Sequence, residues 1–268
     1  MSIPTPGFSE RVFEFSFNAE YADRNRAILA GAPSIPTQNE EKWLGYDVAF
    51  EVAHRSGATH VVALQHKVSR YVDGLGPKNR HFLDSIGGPY YAFRLDTDQY
   101  NLIQSIAAAG LPGIEFAYCA PIFASRDDMN NHYIAGTVEQ NSIWIDVAGA
   151  GQITDDEPHT IIYSPPGSQA FRFSKDAIPL KVQNYEQRQR RREQRQKSNV
   201  ENFPQIYTAA LATLRQYWPE RRRRRSADTN SDFRLPEKLP VEKEPSIANT
   251  AKLLGQYFGI SLLVEVRT

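Results

Sequence analysis

The chain has 268 residues and a mass of 30.4 kDa, with 41% hydrophobic and 23% charged residues. These values exclude wholesale disorder and suit one large domain, or one domain with an appendage. The 31 basic and 31 acidic residues give a formal net charge of zero. The charge is nevertheless unevenly distributed, because residues 181–225 hold 13 Lys or Arg against 4 Asp or Glu.

The use of cysteine and the apolar pattern bear on the cellular compartment. The single cysteine, Cys119, excludes a disulfide within the chain and favours a reducing environment. It lies in the apolar run 116–119 and is interpreted as a packed small residue. The first residues lack a signal-peptide pattern, and no apolar run approaches the roughly 20 residues of a membrane span. We therefore expect a cytoplasmic protein without a membrane partner.

The N-terminal residues predict a strand and then a helix. In residues 11–18, Phe13, Phe15 and Phe17 alternate with other residues, a period of two that is typical of a strand with one buried face. Residues 19–29 indicate a short helix.

A second helix is predicted before the next strand. Thr37 is followed three residues later by Glu40, which is the spacing of a capping box. The helix is expected over residues 38–44, with Gly45 at its end.

A β-hairpin is predicted directly after this helix. Residues 46–53 and 59–68 both have strand patterns, and the turn-forming residues 54–58 join them. If the turn centres near Ser56, opposed residues have numbers that sum to about 112. The continuous apolar run 61–64 indicates that the second strand is covered on both faces.

The rest of the main domain alternates strands and helices. Strands are predicted over 90–95, 114–119, 137–147 and 159–164, and helices are predicted over 98–109 and from Arg126. This mixed order favours an α/β or α+β domain, and the expected fold is α/β, with a mixed central sheet flanked by helices.

The composition changes after Pro179. Residues 185–197 are rich in Gln and Arg, residues 204–218 have an amphipathic helical pattern, and a helix over 247–258 precedes an apolar strand over 260–266. Because a strand that apolar needs a sheet, the C-terminal part is expected to return to the main fold. The predicted division is therefore a main domain over 1–180, a basic helical arm over 181–240, and a returning helix and strand over 241–268.

Four polar residues meet at one end of the predicted hairpin. Asp47 lies opposite Gln65, and Lys67 is expected on the same face because it is two residues further on. Glu41, from the preceding helix, is expected to reach the same point. Asp47, Glu41 and Gln65 offer oxygen ligands that suit Mg²⁺ or Mn²⁺. Lys67 would position or deprotonate a water and stabilise charge on a phosphate, so the four predicted catalytic residues suit phosphodiester hydrolysis.

These residues resemble the motif of the PD-(D/E)xK nuclease superfamily, which has the restriction-endonuclease-like fold. The resemblance lies in Glu41, in residues 45–48 and in residues 64–68. It implies that Asp47 is the aspartate of the motif and Lys67 its lysine, with Glu41 as the helical glutamate that some members carry.

The glutamine of the motif, Gln65, stands where Glu or Asp is usual, which is similar to the variant of Mrr-type restriction enzymes. The order of elements from residue 38 to residue 119 also resembles the core of the superfamily. The resemblance implies a metal-dependent nuclease in a prokaryotic restriction or anti-phage defence system, with DNA expected as the substrate ahead of RNA.

Several weaker alternatives remain beside this site. Glu40 competes with Glu41, although its capping role gives it a structural function. Glu51 shares a strand face with Asp47, and His66 is expected to point to the opposite face from Gln65 and Lys67. The same polar residues also suit an ordinary solvent-facing end of a strand.

The basic arm is the second feature that predicts function. The residues expected to bind nucleic acid are Arg188, Arg190, Arg191, Arg192, Arg195 and Lys197, and a run of arginines follows at 221–225. A solvated arm or a contact with an acidic partner protein would use the same charges.

Two functions follow from the sequence, and a third reading is weaker. The first is a metal-dependent nuclease. The second is a non-catalytic subunit with a nuclease fold that binds nucleic acid or a partner protein in a defence complex. The third is an unrelated α/β enzyme with a small-molecule substrate.

Overall fold

The computed structural model of the chain describes residues 6–29, 31–36, 46–53, 59–74, 80–108, 114–165, 167–174 and 176–196. Several predictions lie outside the described residues. These are the helix over 38–44 with Glu41, the amphipathic segment 204–218, the arginine run 221–225, and the C-terminal helix and strand.

The described residues form an α/β fold around a mixed sheet, as predicted. The strands are β1 (Val48–Ala53), β2 (Thr59–His66), β3 (Arg70–Val72), β4 (Tyr90–Arg94), β5 (Ile114–Pro121), β6 (Ser142–Asp146), β7 (Thr160–Tyr163), β8 (Ala170–Phe173) and β9 (Ala177–Gln183). The helices are α1 (Glu10–Asn25), α2 (Arg80–Ile86), α3 (Thr97–Ala108), α4 (Arg126–Ala135) and α5 (Tyr185–Gln196), with short 3₁₀ helices at Arg26–Ile28 and Ala148–Ala150. None of the helices in these segments is long and apolar enough to cross a membrane.

The strand order places the hairpin at one edge of the sheet. The order is β1-β2-β5-β6-β9-β8-β7-β4-β3. Strands β2 and β5 are parallel, and the other neighbouring pairs are antiparallel. In the hairpin, Val48 lies opposite Leu64 and Ala53 lies opposite Thr59, so opposed residue numbers sum to 112. The predicted hairpin and its register are confirmed.

Strand β2 is covered on both faces because its side chains alternate between two hydrophobic cores. Val61 and Ala63 belong to a core that includes buried residues of α3. Val62 and Leu64 belong to a second core, which includes buried residues of α1. The polar residues at the end of β2 therefore have a helix on either side.

The first helix occupies residues that the sequence pattern assigned to a strand. Residues 11–18 form the first half of α1, and the predicted strand is wrong. Phe13 and Phe17 are fully buried, whereas Phe15 between them is 64% exposed. The helix buries positions four apart, and it continues this face to Tyr21. Three phenylalanines at alternate positions imitated a half-buried strand, although the middle one faces outward.

Most later elements lie where the sequence predicted them. Strands β4 and β5 start at their predicted residues, and α3 starts one residue early. Strand β6 is shorter than the predicted strand over 137–147, because a turn occupies residues 138–141. The sequence pattern did not reveal β3, α2, β8 or β9.

The predicted boundary between the main domain and the basic arm falls inside a strand. Residues 177–180 of β9 pair with β8, and residues 181–183 pair with β6. Because both halves of β9 belong to the sheet, the boundary at 181 is wrong. Lys181 lies on β9, and the arginines of the arm begin on α5.

Candidate functional site

The hairpin register brings Asp47 and Gln65 into contact at the end of β1 and β2. The backbone N–H of Asp47 donates to the carbonyl oxygen of Leu64 at 2.8 Å. The side-chain Nε2 of Gln65 donates to Oδ1 of Asp47 at 2.7 Å. Gln65 is fully buried, and the Asp47 side chain is 10% exposed. These two predicted site residues are therefore direct neighbours.

The second carboxylate oxygen of Asp47 faces His66. The backbone N–H of His66 donates to Oδ2 at 2.6 Å, and the imidazole Nδ1 lies 3.5 Å from the same oxygen. Burial acts to raise the pKa of Asp47, but the contacts with His66 and the charge of Lys67 outweigh it. The pKa of Asp47 therefore lies below its ordinary value, and the group is a carboxylate at neutral pH.

His66 itself points away from Gln65, as predicted. Its ring is fully buried and meets the rings of Phe13 and Phe17 of α1 edge to face, at 5.7 and 5.4 Å between centroids. The imidazole thus packs into the core beneath α1, and its backbone supplies the contact with Asp47.

Lys67 follows the last residue of β2 and reaches a different helix from Gln65. Its Nζ lies 3.8 Å from Oε1 of Glu10 on α1, whereas the Gln65 side chain contacts Gln99 of α3. The prediction that Gln65 and Lys67 share one face is therefore wrong, because the strand and its alternation end at His66. The charge of Lys67 still acts on Asp47, since it helps to lower the pKa of that carboxyl group.

Two glutamates of α1 join this cluster, and the sequence reasoning missed them. Glu10 and Glu14 are four residues apart and share a helix face. Burial raises the pKa of each carboxyl group, and the negative charge of Asp47 raises both further. The backbone N–H of Val68 and the ammonium of Lys67 partly offset this at Glu10. The acidic spacing would have indicated them had residues 11–18 been assigned to a helix.

The side chains fit the predicted metal ion only in part. Within the residues that the structure describes, no group of three or more His, Cys, Asp or Glu side chains is arranged to hold a metal ion. Asp47 and Glu10 carry oxygen ligands that suit a hard cation, and a cation beside them would offset the burial and the charge of Asp47 that raise the pKa of Glu10. Gln65 does not fit as a ligand, because its nitrogen faces Asp47 and its oxygen accepts from Gln99.

The basic helix begins at the same end of the strands as this cluster. Strand β5 runs parallel to β2, β6 runs antiparallel to β5, and β9 runs antiparallel to β6. The C-terminal ends of β2 and β9 consequently lie at the same end of the strands, with β5 and β6 between them. Helix α5 starts two residues after β9 ends, so its basic residues begin on the side of the molecule that holds Asp47.

Arg188 is a correction to the predicted nucleic-acid-binding set. Its side chain is buried, and it donates to the backbone carbonyls of Ser142, Gln183 and Glu139 at 2.8 to 3.0 Å. The guanidinium also lies over the Trp144 ring, 4.9 Å from its centroid. This arginine fastens α5 to the sheet and does not present its charge to a phosphate.

The other predicted arginines divide between described and undescribed positions. Arg190 is exposed on α5, with its Nη2 3.8 Å from Glu186. Arg191, Arg192 and Arg195 lie on the same helix, and Lys197 lies outside the described residues. Their role in binding nucleic acid stays a prediction.

Comparison with known proteins adds no assignment to this geometry. Neither the protein-family models, nor the curated proteins, nor the solved structures give a significant match to this chain. The resemblance to the PD-(D/E)xK superfamily therefore stays a prediction from the motif residues.

The lowered pKa of Asp47 predicts a pH-dependent contribution to stability. Because the folded-state pKa lies below the unfolded value of about 3.9, the stabilisation is present above that value and is lost as the pH falls through the folded pKa. Asp47→Asn is expected to lower the free energy of unfolding by about 1–3 kcal/mol at neutral pH, since the amide cannot accept both N–H donors. Chemical denaturation at pH values from about 7 down to about 3 should show this difference shrinking.

An exposed carboxylate provides the control for this measurement. Asp84 lies on α2 and is exposed. Asp84→Asn should change the free energy of unfolding by less than about 0.5 kcal/mol at each pH. A difference between wild type and Asp47→Asn that stays constant down to the acid end would contradict the assigned pKa direction.

Proposed function

We propose that this protein is a metal-dependent nuclease that hydrolyses phosphodiester bonds, with DNA as the first substrate to test. The observation that supports this most is a cluster of charged side chains at the C-terminal end of β2. The ammonium of Lys67 lies beside the carboxylate of Glu10, and its charge also acts on the Asp47 carboxylate. A carboxylate that is ionised at neutral pH, a second acid and an ammonium are groups that suit metal-assisted phosphoryl transfer.

Each group has a distinct task in this proposal. Asp47 and Glu10 would hold the divalent cation, which supplies charge neutralisation at the scissile phosphate when bound. Lys67 would stabilise the negative charge that develops on the phosphate oxygens and orient the attacking water. The backbone N–H of His66 keeps the Asp47 carboxylate in place through its 2.6 Å hydrogen bond. Glu41, outside the described residues, stays a predicted further ligand.

The basic helix supports a polyanionic substrate. Arg190 is exposed on α5, which begins at the end of the strands that holds Asp47. Cations at that place would attract the phosphate backbone in a salt-dependent manner, independently of base sequence. A role in prokaryotic anti-phage defence is part of the proposal only through the resemblance of the motif.

A second candidate function is a non-catalytic subunit that binds nucleic acid or a partner protein. The Gln65 side chain favours it, because this neutral amide donates to Asp47 where an acidic ligand is usual in the motif. The same basic helix would then hold nucleic acid without cleaving it.

The full chain should be incubated with supercoiled plasmid, single-stranded DNA and RNA, each with Mg²⁺, Mn²⁺ or EDTA. We expect cleavage of at least one DNA substrate with a metal ion and none with EDTA. Binding without cleavage under all conditions would support the second candidate, and cleavage that survives EDTA would contradict the metal-dependent mechanism.

A further inference from the structure

The side chain of Gln65 links Asp47 to the helix on the other side of the sheet. Its Nε2 donates to Oδ1 of Asp47 at 2.7 Å, and its Oε1 accepts from Nε2 of Gln99 at 3.0 Å. Gln65 is fully buried, so water does not compete for either contact. The three side chains form one line of hydrogen bonds from α3 to the carboxylate.

The orientation of both amide groups follows from the carboxylate of Asp47, at which the line of hydrogen bonds ends. An ionised carboxylate only accepts hydrogen bonds, so Gln65 must turn its NH₂ group towards Asp47. Its oxygen then faces Gln99, which must present its own NH₂ group in turn. The oxygen that would serve as a metal ligand is thereby directed to α3 and not to Asp47.

Gln99 is itself held by the first turn of α3. Its backbone N–H donates to Oδ1 of Asp96 at 2.9 Å, and the N–H of Tyr100 donates to the Asp96 carbonyl at 2.9 Å. Asp96 thus occupies the N-cap position of the helix. The helix is anchored in the core by Tyr100 and Ile103, which are both fully buried. The backbone of Gln99, where the line of hydrogen bonds begins, is therefore held in place by α3.

We propose that Gln65 and Gln99 are positioning residues, which orient the Asp47 carboxylate, and that Gln65 does not bind the metal ion. This inference rests on the proposed nuclease function for its catalytic consequence. It accounts for a neutral residue at a motif position that is usually acidic, because an ionised carboxylate at 65 could not donate a hydrogen bond to Asp47. In this proposal Gln65 is not itself a metal ligand, and it orients the ligand Asp47.

A double-mutant cycle tests this assignment by activity. Gln99→Met keeps the approximate size of the side chain but removes its donor, and it is expected to lower kcat about 10-fold to 100-fold with KM nearly unchanged. Because the buried oxygen of Gln65 then loses its donor, thermal melting is expected to show a folded protein of lower stability. In a Gln65→Met background, Gln99→Met should have no further effect on kcat, because Gln99 reaches the Asp47 carboxylate through Gln65. If Gln65 were a ligand, Gln99→Met would leave kcat unchanged or raise it, since the oxygen would be released for the ion.

Another glutamine beside α3 supplies the matched control. Gln152 donates from its Nε2 to Oγ of Ser105 on α3 at 2.7 Å and does not belong to the line. Gln152→Met should leave kcat at the wild-type value. An equal loss of kcat in Gln152→Met would overturn the assignment, because it would show that any lost hydrogen bond to α3 lowers the rate.

A spectroscopic readout separates this inference from the nuclease proposal. The side-chain amide signals of Gln65, identified by their loss in Gln65→Met, should exchange slowly with solvent in the wild type. They should shift and exchange faster in Gln99→Met but not in Gln152→Met. Unchanged Gln65 signals in Gln99→Met would overturn the hydrogen-bond line, whereas absence of cleavage by the wild type would count against the proposed function alone.

Discussion

Replacing Asp47 with asparagine, or Lys67 with methionine, is expected to lower the rate of phosphodiester cleavage at least about 100-fold. Asparagine keeps the shape of the side chain but removes the negative charge, which the low pKa of Asp47 maintains at neutral pH. Methionine keeps much of the length of lysine but removes the ammonium that lies 3.8 Å from Glu10. Initial rates on the best substrate, at saturating Mg²⁺ or Mn²⁺, measure both effects.

Surface variants of the same chemistry are the controls for this prediction. Lys181 is exposed on β9, and Lys181→Met should keep the wild-type rate. Asp84→Asn on α2 should do the same. Thermal melting of every variant identifies losses that come from unfolding. Wild-type cleavage by both Asp47→Asn and Lys67→Met would remove these residues from the mechanism, whereas cleavage lost with nucleic-acid binding retained would support it.

The hairpin shows how far the sequence determined the site. The turn position fixed the register, and the register fixed the opposition of Asp47 and Gln65. The apolar run of β2 correctly indicated a strand with two covered faces. These inferences succeeded because they depend on residues close in sequence and on the period of two within a strand.

The remainder of the site depends on contacts between distant segments. Glu10 reaches Lys67 across 57 positions of sequence, and this contact requires α1 to be a helix packed on β2. The alternation around Phe15 hid that helix. The orientation of the Gln65 amide required Gln99, which is 34 positions away. No local pattern carries such information, because tertiary packing decides both contacts.

Arg188 is a further case in which burial overrides composition. In a helix with sequence YEQRQRRREQRQ, no residue type distinguishes this arginine from its neighbours. Its position one turn after the end of β9 places it over Trp144 and beside three backbone carbonyls. A basic composition therefore described the helix as a whole but not the role of this one side chain.

Arg188→Met is accordingly expected to destabilise the protein by about 3–5 kcal/mol. Methionine fills much of the same space, but it leaves the carbonyl oxygens of Ser142, Gln183 and Glu139 without their buried donor. It also removes the attraction of the guanidinium to the Trp144 ring. Chemical denaturation of the full chain measures the loss.

Arg190→Met, two residues further along α5, should show the opposite pair of effects. Its side chain is 77% exposed and pairs only loosely with Glu186, so the free energy of unfolding should change by less than about 0.5 kcal/mol. Nucleic-acid affinity should fall instead, and the slope of log affinity against log salt should decrease by about one unit if Arg190 contacts a phosphate. Equal destabilisation by the two variants would contradict the anchoring role of Arg188, because the buried arginine would then contribute no more to stability than the exposed one.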